Sequence, residues 1–126
     1  MINRRLVGIV LSAGLLAGCS APAGVPRNGE ISHIQPEREV LTTARDVGFD
    51  YMGNLRRAEK GQIEAIVALI NFSPQMDAAA SLAQGWVLLD LRKIVGNDKF
   101  ANALARATKV GRKSALDSME VAGTYR

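Results

Sequence analysis

The sequence predicts an all-α domain of about five helices, arranged as a small irregular bundle or a short helix-pair solenoid. Three observations predict it. Beyond residue 35, the β-branched alternation that builds half-buried strands is almost absent. Apolar residues there recur every three or four positions, the spacing that gathers one face of an α-helix. Glycine, proline, serine and asparagine fall between the periodic segments, where helices start and stop.

The first predicted helix opens at Pro36, whose missing N–H costs nothing in a first turn. Val40, Ala44, Val47, Tyr51, Leu55 and Ala58 then line one face, and Gly61 supplies the stop. Gly48 and Gly53 lie inside this segment, and one of them is expected to mark a bend or a close helix approach. A short second helix covers about Gln62–Ile70, with Ile63, Ile66, Val67 and Ile70 inward and Glu64 in its first turn.

Ser73-Pro74 reads as the start of a third helix running to about Val95. Its run Trp86-Val87-Leu88-Leu89-Asp90-Leu91 is apolar on nearly every side, so this helix should be central, with Asp90 on its narrow exposed edge. Trp86 is expected to be largely buried there, and Tyr51 to stand at the end of the core with its hydroxyl reaching water. Gly96 ends the helix, and Asn97 can cap a fourth at about Asp98–Ala107, packed through Phe100, Leu104 and Ala107. The last helix, about Gly111 to Ala122, turns Ala115, Leu116, Met119 and Ala122 inward and stops at Gly123. Gly61, Ala65 and Leu69 match Gly96, Phe100 and Leu104 at an offset of 35 residues (96 − 61), a period found in helix-pair repeats.

The first 18 residues are of another kind. Arg4 and Arg5 precede an apolar run from Leu6 to Ala17, too short for a comfortable transmembrane helix but suited to a secretory signal. The run closes on Leu16-Ala17-Gly18-Cys19, at the single cysteine of the chain. This segment resembles the lipobox of bacterial lipoproteins. The resemblance implies cleavage before Cys19, acylation of its sulfur and amine, and attachment to a membrane. Two or more acyl chains make such attachment stable. In a Gram-negative cell, Ser20 standing where aspartate would hold a lipoprotein in the inner membrane implies sorting to the outer membrane, facing the periplasm; in a Gram-positive cell the same anchor implies the outer face of the only membrane. The Pro- and Gly-rich stretch 21–29 continues as a flexible linker, giving a signal peptide over 1–18, lipidated cysteine and linker over 19–35, and one helical domain over 36–126.

Charge argues against nucleic acid. Arg4 and Arg5 leave with the signal, so 14 basic residues remain against 12 acidic ones, a balance of +2. Two local clusters stand out, Arg56, Arg57 and Lys60, and Lys109, Arg112 and Lys113. Either can meet anionic headgroups or peptidoglycan near the anchor.

Catalytic groups are sparse. His33, the single histidine, falls in or beside the linker, and no cysteine–histidine cluster points to a metal or cofactor. Asp46 and Asp50 lie one turn apart, and Glu59, Asp117 and Glu120 could join them only through the fold. These residues suggest no enzyme. Phe72, in an interhelical loop, and Tyr125, in the tail, are the exposed aromatic candidates for a protein interface, beside Arg56, Arg57 and Lys60. The expected function is therefore a lipid-anchored envelope module that binds a protein partner. The layout also resembles pilotin-like assembly factors and the immunity or exclusion lipoproteins of mobile elements, with no residue motif matched to either.

Overall fold

In the computed structural model the described residues are 32–125; the leader, Cys19 and most of the linker lie outside them. Six helices follow in order: α1 Arg38–Val47, α2 Tyr51–Glu59, α3 Ile63–Phe72, α4 Ala78–Val95, α5 Asn97–Arg106 and α6 Lys109–Thr124. A single 3-10 turn, Ser73–Gln75, stands between α3 and α4. There is no strand among the described residues, and the architecture is a small irregular bundle.

The predicted first helix is two. Gly48 adopts φ 77°, a left-handed conformation that glycine reaches without the Cβ penalty. Its N–H bonds to Arg45 O at 3.2 Å and that of Phe49 to Ala44 O at 2.8 Å, which closes α1 in a Schellman motif. Asp50 then caps α2, accepting the Gly53 N–H at 3.0 Å. Val47, expected inward, sits at this break and is exposed. The end of α2 repeats the motif at Gly61, φ 88°, with the Gln62 N–H on Arg57 O at 3.2 Å.

Other boundaries move for similar reasons. Ser73-Pro74 opens the 3-10 turn, and extended backbone at Met76 breaks it before Asp77 caps α4 through the Ala80 N–H at 2.9 Å. Asn97 is the first residue of α5, not its cap, because Gly96 at φ 94° joins α4 to α5 directly. Thr108, not the region of Gly111, starts α6, its hydroxyl oxygen accepting the Gly111 N–H at 2.9 Å, and the helix runs through Gly123. Leu116 faces solvent instead of the core.

α4 is central, as its composition predicts, touching α1, α2, α5 and α6. Leu88 and Leu91 are fully buried with Leu55, Ile66, Leu69, Ile70 and Phe100. Its most extensive contact is with α6, across small residues. A Cβ built on Gly85 would stand 2.1 Å from Ser118 O and 2.7 Å from the Ala122 Cβ, so the two backbones nearly touch there. The Ser81 and Ser118 hydroxyls bond across the same seam at 2.6 Å. Trp86 occupies the middle of the longest helix, mostly covered but outside the fully buried core. Its Nε1–H donates to Ala122 O at 3.2 Å, which adds a side-chain bond between α4 and α6.

Candidate functional site

Two polar constructions organise the domain, and both use residues that the sequence offered in other roles. The first lies inside. Tyr51 is buried, and its hydroxyl donates to Gln84 Oε1 instead of reaching water. Gln84, itself fully buried, donates through Nε2 to Leu69 O at 3.0 Å and Ser73 Oγ at 3.1 Å. One amide thus ties α2, α3 and the 3-10 turn to α4. Burial pushes the Tyr51 phenol well above its ordinary pKa. Phe49 stacks on Phe72, centroids 4.3 Å apart, and Tyr51 meets both rings edge-on. Phe72 is therefore the buried last residue of α3, not an exposed loop aromatic, because α3 extends two residues past the expected Ile70.

The second construction is a clamp on the segment entering the domain. Glu59 ends α2 with its side chain 7 % exposed. Its carboxylate accepts the backbone N–H of His33 and of Ile34, each at 3.1 Å, and the Ser32 hydroxyl at 2.7 Å. Ser32 and Ile34 are buried by this docking, while the His33 ring stays exposed with Nδ1 3.7 Å from Glu59 Oε1. The last part of the expected linker, residues 32–35, accordingly belongs to the folded unit.

The remaining candidates are separate from one another. Asp46 pairs with neighbouring Arg45 at 3.8 Å, and Asp50 is a helix cap. Asp117 bonds Lys113 at 2.9 Å, which holds that ammonium above its ordinary pKa. Arg112 closes the end of α5, donating to Leu104 O at 2.9 Å and Ala107 O at 3.2 Å. That basic cluster is thus partly internal bonding. Arg57 donates to Asn54 at 3.2 Å, Arg56 is half-buried, and Arg57 and Lys60 are exposed at the end of α2. Tyr125 is exposed at the end of α6, a helix that also turns Val110, Leu116 and Val121 outward. A shallow groove beside its start is lined by Pro74, Val110, Lys109 and Lys113.

Among the described residues no cluster of histidine, cysteine or carboxylates has metal-binding size, and no helix is long and apolar enough to cross a membrane. Cys19 falls outside the described residues. Gln84 is the key residue that the sequence reading passed over, although it shares the Ala80, Leu88 and Leu91 face at spacings of four and seven. Comparison with known proteins found no matching family model, no matching curated protein and no matching solved structure.

Proposed function

We propose that this chain is a lipid-anchored helical module of the cell envelope that works by binding another envelope protein. The observation carrying the proposal is Leu16-Ala17-Gly18-Cys19 behind a basic and apolar leader. In a Gram-negative cell Ser20 favours the outer membrane, with the domain in the periplasm. The domain's arrangement supports a binding role. The polar side chains gathered around Gln84 and Glu59 are engaged in joining elements, while α6 turns Val110, Leu116, Val121 and Tyr125 toward solvent. Apolar and aromatic side chains on one rigid helix are the anchors that protein interfaces use.

Crosslinking in intact envelopes, with a photoreactive residue at Val121 or Tyr125, tests this reading. One discrete heavier adduct, lost when the photoreactive residue is moved to exposed Glu37, is the expected result. Recovery of uncrosslinked chain from every α6 position would overturn it.

A further inference from the structure

The entry of the chain into the domain and an end of the bundle rich in arginine and lysine occupy one place. Glu59 holds Ser32–Ile34 against the last turn of α2, so the chain leading back to Cys19 leaves the domain there. Arg56, Arg57 and Lys60 belong to that turn and its exit. The start of α5 lies beside them: the Lys99 ammonium stands 2.7 Å from where a Cβ on Gly61 would be. Gly96 joins α5 directly to α4, whose last turn carries Arg92 and Lys93. On the acidic side, Glu59 is engaged in the clamp and Glu64 pairs with Arg106 at 3.1 Å, while Asp98 lies in the first turn of α5, Asp90 precedes Arg92 by two residues, and Glu37 and Glu39 follow the clamped segment at the start of α1. Arg56, Arg57, Lys60, Arg92, Lys93 and Lys99 thus outnumber the carboxylates Glu37, Glu39, Asp90 and Asp98 on these segments.

We infer that this end is a docking face for acidic phospholipid headgroups, on which Arg56, Arg57, Lys60, Arg92, Lys93 and Lys99 rest while Cys19 holds the chain to the same bilayer. The orientation rests on the anchor proposed above; the cationic face does not. Thirteen residue steps separate Cys19 from Ser32 (32 − 19), a reach of at most about 45 Å even fully extended. The bilayer is then the polyanion nearest to the exit, held at high effective concentration. Each basic side chain near an anionic surface adds attraction that falls off within a Debye length, so several must reach the surface together. Cations in the last turns of α2 and α4 also complement their own helix dipoles. That effect does not account for Lys99, which lies in the first turn of α5, nor for the start of α5 lying beside the end of α2.

Lysine acetylation of the full chain tests the face without any substitution. The protein is bound to vesicles of phosphatidylcholine, or of phosphatidylcholine with phosphatidylglycerol, and modification at each lysine is read by mass spectrometry. Lys60, Lys93 and Lys99 should acetylate about tenfold more slowly on the anionic vesicles. Lys109 and Lys113, beyond the other end of α3, should react alike on both, and high salt should abolish the difference. Equal rates at all five lysines, or slowing at Lys109 and Lys113 instead, would overturn the inference. Protection by peptidoglycan sacculi but not by anionic vesicles would overturn the choice of lipid. Flotation reports the anchor separately. A chain that floats with anionic but not neutral vesicles, showing the same lysine pattern, supports the face and defeats the anchor.

Discussion

Glu59 and Ile34, 25 residues apart in the chain, are joined by a carboxylate–backbone hydrogen bond of 3.1 Å that holds the segment before α1 against the end of α2. The same carboxylate takes the His33 N–H and the Ser32 hydroxyl, so one side chain satisfies three donors of an extended segment. Charge-assisted bonds of this kind are about twice as strong as neutral ones. The clamp gives residues 32–34 a fixed course along the end of α2.

Glu59→Ala should therefore release the segment. The amides of His33 and Ile34 are expected to lose hydrogen-exchange protection, and the domain to lose about 1–3 kcal/mol. Unchanged protection at both amides would refute the clamp.

The buried amide of Gln84 makes a second prediction. Gln84→Ala removes the acceptor of the Tyr51 hydroxyl and the donor to Leu69 O and Ser73 Oγ, all in the interior. The Tyr51 hydroxyl is left without its acceptor and a cavity opens beside Leu69 O and Ser73 Oγ, which keep only each other, so the domain should lose about 2–5 kcal/mol, read as a shift in the denaturant midpoint. Tyr51→Phe, which leaves only Gln84 Oε1 short of its donor, should cost less.

Tyr51 also predicts an alkaline limit. Its phenol pKa is raised in the folded state by burial, so the native domain keeps the proton that the unfolded chain releases near pH 10. The contribution is fully present below pH 10 and is lost as pH rises beyond it, by about 1.4 kcal/mol per unit. Unfolding measured across that range should show the slope in the parent and a shallower one in Tyr51→Phe.

The α4–α6 seam distinguishes two glycines of similar sequence setting. Gly85→Ala forces a methyl against Ser118 O and should cost about 1–3 kcal/mol, whereas nothing lies within 4 Å of a Cβ on Gly123. Gly123→Ala should be neutral or stabilise by up to about 1 kcal/mol. Thermal unfolding of the two variants gives the comparison, and equal effects would contradict the close crossing at Gly85.

What the sequence made legible follows from the range of the interactions. The helical class, the centrality of α4 and the position of α5 rest on local apolar periodicity, which a single chain displays. The split at Gly48 was half visible, since the glycine was evident but its left-handed cap depends on Phe49 turning in to stack on Phe72. Phe72 itself was misplaced because Ser73-Pro74 reads as a fresh helix start. It does begin a turn, but the 3-10 turn grows straight out of α3. Composition places Trp86 in the apolar centre of α4, whereas its bond to Ala122 O depends on a partner 36 residues away that no local pattern displays. Glu59 and Gln84 are illegible as structural centres because their partners lie 11 to 33 residues away; helical spacing puts Gln84 on the buried face of α4 but does not say what it bonds.

The central claim concerns Cys19, and the mass of the N-terminal peptide of the protein purified from its own membranes tests it most directly. The account predicts a peptide that begins at Cys19 and carries diacylglycerol on sulfur, with a further acyl chain on its amine. An unmodified Cys19, or a peptide retaining Met1–Gly18, would contradict it.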